Sequence, residues 1–171
     1  NNYQFEMEDD NVLCIDAYKM KMNEENLDPT EIVKKNFDDK DWLDVKMGAW
    51  EMQLPQERDV ADYPVTLWYR AYFEADEIPN DIRILIDGFS GKEYSLFINN
   101  NKVEDKGRRS KIDAEIKEIN IRDFIESGKN VIAIKLIAKR RTDGLLDLLK
   151  IVGDFQVSKI ENKYKIEKRK D

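Results

Sequence analysis

The sequence predicts an all-β fold, an antiparallel sandwich or barrel with only short helices. Three observations carry this. Leu67, Tyr69, Ala71 and Phe73 alternate with Trp68, Arg70 and Tyr72. The same period of two recurs at Ile82, Ile84, Ile86 and at Tyr94, Leu96, Ile98, and it places successive side chains on opposite faces of a strand. Chain breakers separate these runs: Ile78-Pro79-Asn80, Asp87-Gly88 and Asn99-Asn100-Asn101. Short strands divided by such signals are the pattern of antiparallel sheets.

The remaining elements follow in order. Tyr3, Phe5 and Met7 alternate, Asp9-Asp10-Asn11 turns, and residues 12–22 alternate again, which predicts an N-terminal strand pair. Asp28-Pro29-Thr30-Glu31 is a helix start, with Asp28 as N-cap, Pro29 at the first helical position and Glu31 placed for a capping box. This helix should end near Asn36, ahead of Asp38-Asp39-Lys40-Asp41. Trp42 to Leu54 is irregular with strand-like pieces, and residues 56–64 form a polar loop. A charged stretch, 102–111, has Gly107-Arg108-Arg109 at its expected tip, and Ile112, Ala114 and Ile116 alternate as a strand. A helical turn is expected at 122–127, capped by Asp123 and closed by Gly128 in the left-handed region. Residues 131–138 are apolar on nearly both faces, which marks a central, buried strand. Thr142-Asp143-Gly144 then turns into one or two strands over 145–157, broken at Gly153. The tail from Ser158 to Asp171 is charged and alternates only weakly.

Composition narrows the function. The 171 residues suit one domain with its own core. A net charge of −7 argues against a nucleic-acid partner, which a basic footprint would announce. No apolar run approaches the roughly 20 residues that span a bilayer, and the chain ends do not reveal a compartment. Cys14 is the one cysteine, so the fold does not depend on an internal disulfide. The sequence has no histidine. That removes Ser-His-Asp chemistry, histidine general bases and the usual zinc sites. Carboxylate chemistry and oxygen-ligand calcium binding survive the filter.

Several segments together resemble a known domain. Phe37-Asp38-Asp39-Lys40-Asp41-Trp42, then Gly48-Ala49-Trp50-Glu51 and Pro55, resembles the opening of the sugar-binding domain of glycoside hydrolase family 2. Trp68-Tyr69-Arg70-Ala71-Tyr72-Phe73 is similar to its "WYR…F" strand, and residues 84–89 to its "F-x-G" strand. Leu96-Phe97-Ile98-Asn99-Asn100 resembles its hairpin, with Asn100 where Gly is usual; Asn also tolerates positive φ, so the turn survives. Residues 121–136, with Gly128-Lys129-Asn130-Val131, resemble its ending, and Val152-Gly153-Asp154-Phe155 resembles a flanking segment of related bacterial modules. The resemblance implies a galactose-binding-like jelly-roll sandwich over residues 37–157. Residues 1–36 would form part of it or flank it, and residues 158–171 would lead towards a following domain. It implies an accessory module whose partner is the catalytic domain of the same parent polypeptide, with oligo- or polysaccharide as a second partner and no cofactor.

Each candidate binding residue also has a packing role open to it. Aromatic faces stack on sugar rings, yet large aromatics also dominate cores. Trp42 and Trp68 are expected in the core, while Trp50 leaves packing and an exposed platform equally open. Arg108 and Arg109, with Trp50, form the candidate carbohydrate-binding set; Arg140 and Arg141 read as solvated surface. Arg70, inside a strand, is expected to pair with a carboxylate on a neighbouring strand. Asp38, Asp39 and Asp41 could supply oxygens to a structural calcium but lack a binding-loop signature, so a solvated turn is the expectation. No spacing selects a pair of catalytic carboxylates. An independent carbohydrate-binding module, a purely structural interaction domain and a self-contained carboxylate glycosidase are the rival readings.

Overall fold

A computed structural model describes residues 10–22, 27–55, 63–104, 108–109, 116–160 and 163–169. The first strands are β1 (Asn11–Ile15) and β2 (Tyr18–Met22), followed by helix α1 (Pro29–Ile32), β3 (Leu43–Val45) and β4 (Gly48–Ala49). The middle of the chain gives β5 (Val65–Ala75), β6 (Ile82–Ile86), β7 (Phe89–Ser90), β8 (Glu93–Ile98), β9 (Asn101–Val103) and β10 (Arg108–Arg109). Then come β11 (Lys117–Asn120), β12 (Gly128–Ala138), β13 (Gly144–Leu145), β14 (Leu149–Gly153), β15 (Gln156–Ile160) and β16 (Lys163–Glu167). A five-stranded sheet runs β1-β14-β6-β11-β10. An eight-stranded sheet runs β15-β16-β5-β12-β8-β9, with β2 and β3 joined to β5. The short strands β4, β13 and β7 form a third sheet. The described residues thus form the antiparallel sandwich, with one parallel pair, β16 on β5.

The alternation decides the layers. Leu67, Tyr69, Ala71 and Phe73 face inward beside Ile132, Ile134 and Leu136 of β12, and pack on Ile82, Ile84 and Ile151 of the opposite sheet. The outward set is buried as well. Trp68 and Ala133 are covered by Ile32, Val33 and Trp42, with Leu27, Phe37 and Phe97 at the margin. The segment carrying α1 is therefore a lid over the outer face of the large sheet, which explains why β12 is apolar on both faces. Trp42 and Trp68 are core residues, as expected.

Arg70 pins this lid. It is fully buried, and its guanidinium donates to Asp39 Oδ2 at 2.7 Å, Lys34 O at 3.1 Å, Tyr72 Oη at 2.8 Å and the carbonyl of Ile32. The Phe37 ring lies 5.1 Å from its Cζ. The expected carboxylate partner exists, but it stands in the loop before Trp42 and not on a neighbouring strand. Asp39 is accordingly buried, while Asp38 and Asp41 are exposed, so the acidic run is only partly a solvated turn.

Two asparagines lock the other side of the sheet. Asn99 and Asn100 have φ of 47° and 75° and close the two-residue hairpin between β8 and β9. Asn99 Nδ2 donates to Asn130 Oδ1 and to Phe124 O, and its Oδ1 accepts from Val131 N. Asn130 in turn holds Glu126 through both its backbone groups.

Other elements depart from expectation. Residues 12–22 split between the two sheets at Asp16-Ala17, because β1 pairs β14 while β2 pairs β5; residues 3–7 lie outside the described residues. The 3-10 turn at Arg122–Phe124 has Ile121 at its N-cap position and no side-chain cap; Asn120 Oδ1 accepts from Arg122 N, and Asp123 lies within the turn. Gly128 has positive φ, but the turn ends at Phe124 and Gly128 is the first residue of β12. The sandwich also continues past Val157: β15 and β16 pair as a hairpin, and β16 docks on β5 with Ile166 fully buried. The weak alternation of the tail was a strand pair one side of which faces the core.

Removing one partner of a buried ion pair leaves an uncompensated charge, at about 3–5 kcal/mol. Asp39→Ala should therefore lower unfolding stability by about 3 kcal/mol in urea titration. In an Arg70→Met background the same change should cost much less, since the two residues share one network.

Candidate functional site

Two regions can present chemistry to a partner. The first is the end of the sandwich where β4, β13 and β7 meet. Asp143 organises it from a buried position. Its carboxylate accepts from Ser90 Oγ at 3.0 Å, Lys139 N at 2.8 Å and Arg140 N at 3.1 Å. Burial pushes this carboxyl up, but the Lys139 amide, the Ser90 hydroxyl and the Arg140 amide outweigh it and hold Asp143 below the ordinary carboxylate range. Its backbone carbonyl receives Trp50 N at 2.9 Å.

Trp50 is fully buried here. Its indole N–H donates to Arg140 O at 3.1 Å, and its ring meets Tyr63 edge-on at 6.5 Å. The exposed-platform alternative is corrected: the loop folds the indole inward because its N–H finds a carbonyl and its ring finds the core. Arg108 and Arg109 do not sit at a loop tip. They form the outer strand of the five-stranded sheet, paired with Glu118 and Lys117. The row of Arg109 and Lys117 continues to Ile86, from which the chain leaves towards β7. Arg141 pairs with Glu51 at 3.2 Å and Arg140 with Asp143 at 3.4 Å, both with largely exposed side chains.

Three apolar side chains stand exposed near this end: Met47 at 48%, Met52 at 80% and Leu146 at 45%. The β4–β13 register pairs Leu145 with Gly48, so one step further Leu146 stands opposite Met47.

The second region is a slot in the large sheet. One edge of β5 pairs with β2 as far as Arg70 and with β16 only from Glu74 onward. Ala71, Tyr72 and Phe73 between them have no ladder partner on that side among the described residues. The gap opens a cavity of about 390 Å³. Ala71, Phe73, Ile15 and Tyr18 make its apolar inner wall, and Tyr72, Glu74, Lys129, Lys163, Tyr164 and the Lys19–Asp44 pair its rim. Lys129 Nζ lies 4.0 Å from the centre of the Tyr72 ring. Tyr164 Oη donates to Asp16 Oδ1 at 2.8 Å. Tyr18 Oη donates to Ile15 O at 2.7 Å and accepts from Leu149 N at 3.1 Å. Nothing in the sequence marked the slot, because it lies where two ladders onto β5, from opposite ends of the chain, stop short of each other. Among the described residues, no three acidic or cysteine side chains converge as metal ligands would.

The chain superposes on an exo-chitosanase, CsxA, of Amycolatopsis orientalis with TM-score 0.70 and 16% identity, over 86% of this chain and 21% of that one. It superposes on a β-glucuronidase of Ruminococcus gnavus with TM-score 0.64 and 13% identity, over 92% and 32%. A β-glucuronidase of an uncultured Clostridium gives TM-score 0.62 and 12% identity, over 97% and 35%. This is the fold of one domain of large glycoside hydrolases. The resemblance to the family 2 sugar-binding domain holds at the level of architecture. No family model and no curated protein sequence matches the chain. The domain spans roughly a fifth to a third of those hydrolases.

Two outcomes test this description. Trp50→Ala should destabilise the fold by about 3 kcal/mol or more, as core truncation does; the check is thermal or urea unfolding. Burial first, then the charges of Asp16 and Asp147, raise Tyr18 to about 12 against the stabilising Leu149 amide. Its folded value lies above the unfolded one, so its contribution is complete below pH ~10 and is lost as pH rises towards 12. Unfolding stability should fall across that window by about 2–3 kcal/mol from this group, and Tyr18→Phe should flatten the slope.

Proposed function

We propose that this chain is a non-catalytic accessory β-sandwich of a larger glycoside hydrolase, which docks the catalytic domain of the same polypeptide. The observation that carries the reading is the fold match over 86% of this chain but only 21% of the exo-chitosanase: the likeness is to one domain, in proteins whose names record hydrolysis. Supporting it, the end built on β4, β13 and β7 presents Met47, Met52 and Leu146, flanked by Arg140 and Arg141. Exposed apolar side chains rimmed by charge are the composition of a docking surface. Asp143, fully hydrogen-bonded beneath, keeps that end rigid.

Catalysis by the chain itself finds no support in its groups. The buried carboxylates, Asp39, Glu118 and Asp143, are each paired with an arginine. Each is engaged in structural contacts within the fold, and none is placed as one of a pair facing an open cleft.

The test is association of this chain with the catalytic fragment of its parent polypeptide, followed by size-exclusion chromatography and calorimetry. Met47→Glu with Leu146→Glu should abolish the complex while leaving the unfolding free energy within about 0.5 kcal/mol of that of the unsubstituted chain, as surface changes do. The isolated chain should not turn over nitrophenyl glycosides. Turnover that vanishes on mutating one Asp or Glu, or docking indifferent to the paired substitution, would overturn the proposal.

A further inference from the structure

Two of the three apolar side chains exposed at the docking end are methionines, Met52 at 80% and Met47 at 48%. They sit on one loop, and the fold fixes which way that loop faces. Trp50, between them in the chain, is buried, with its indole N–H on Arg140 O at 3.1 Å and its backbone N–H on Asp143 O at 2.9 Å. The side chain of Gln53 closes the loop from its far end: Oε1 accepts from Lys46 N at 2.8 Å and Nε2 donates to Gly48 O at 3.4 Å. That one carboxamide holds the backbone on both sides of Met47. Gln53 N and Leu54 N, bonded to Trp50 O at 3.2 Å and Glu51 O at 3.3 Å, wind Met52 into a single 3-10 turn. An anchored indole and a clasped backbone leave the two thioethers outside.

Exposure separates these two from the other methionines among the described residues. Met20 is 2% exposed, and Met22 is half-buried against the core. Peroxides oxidise a thioether where they can reach it. Hydrogen peroxide is small and uncharged, so access decides the order. The sulfur takes one oxygen as the O–O bond breaks, and the other oxygen leaves as water with both protons. The sulfur loses two electrons and the peroxide gains them. The sulfoxide replaces an apolar, adaptable side chain by a polar hydrogen-bond acceptor. On the free chain water solvates the new oxygen, so the fold is left intact. In an interface formed by Met47, Met52 and Leu146 that oxygen must leave water, and the apolar neighbours offer it no donor.

We propose that Met47 and Met52 are a modification site, oxidised to sulfoxides by hydroperoxides, and that this oxidation releases the docked partner. The proposal rests on the reading of that end as a docking surface and adds its regulation. Docking covers the same sulfur atoms that the peroxide must reach, so the complex protects them. Reduction of the sulfoxides reverses the switch.

The experiment exposes the full chain to hydrogen peroxide, locates each added oxygen by peptide mass mapping, and measures association with the catalytic fragment of the parent polypeptide by calorimetry. Oxygen should appear on Met52 and Met47 before Met20 or Met22, with the unfolding transition retained. The oxidised chain should bind the fragment roughly tenfold or more weakly, the scale of burying an unpaired polar group. The preformed complex should take up oxygen at both positions more slowly than the free chain. In a Met47→Leu, Met52→Leu variant, which serves as its own reference, the affinity should be the same before and after peroxide. Oxygen on Met20 or Met22 as early as on Met47 and Met52, equal uptake by free chain and complex, or the same loss of affinity in the leucine variant would each overturn the proposal. If the untreated chain fails to bind the fragment, the docking reading falls and the switch with it. If it binds and oxidation leaves the affinity unchanged, the switch alone falls.

Discussion

The whole outer layer depends on one buried cation. Arg70 stands where a strand residue would ordinarily meet water, and it is instead sealed beneath the segment that carries α1. A guanidinium out of water is tolerable only if its fork of donors is matched, and the lid supplies the matching: a carboxylate from Asp39 and the carbonyls of Ile32 and Lys34. The dependence runs both ways. One carbonyl is that of the last residue of a four-residue helix, too short to be stable by itself, and the other lies in the turn just after it; Arg70 donates to both. Trp42, Trp68 and Ala133 then bury the rest of the interface.

The same strand, β5, sets up the slot. Its long edge towards β12 is paired from end to end, which keeps it straight, while its other edge is shared between β2 and β16 without either covering the middle. A rigid floor with a gap in its border is a way to make a cavity inside a sheet without a loop. The Asn99–Asn130 exchange secures the far side of β12. Gly153 does a comparable job on the small sheet: a Cβ there would lie 2.1 Å from the carbonyl of Asp81. Only glycine allows that approach, which is the physical content of the Gly153 signal.

Legibility followed range. Alternation located β5, β6, β8, β12 and β14 because both faces of each strand are read from one short window. The N-cap at Asp28 was equally local: Thr30 N donates to its carboxylate at 2.8 Å. Trp50 was undecidable because the fate of its indole depends on a carbonyl 90 residues away. The carboxylate partner of Arg70 stands not across the ladder but in a loop 31 residues earlier. For Arg108 and Arg109 the charged surroundings suggested a tip, but the backbone pairs with β11.

The sequence by itself determined the period of two, the turn positions and hence the all-β class, since these arise from backbone geometry and near-neighbour sterics. The absence of histidine likewise removed several chemistries before any coordinates. Only the tertiary structure decided which strands share a sheet, that the tail from Gln156 returns as a hairpin onto β5, and that Trp50 points inward. It also made the slot, whose existence depends on where β2 stops and β16 begins. Those outcomes rest on pairings between segments far apart in the chain, and a strand's own residues record which face is apolar but not which neighbour will lie along its edge.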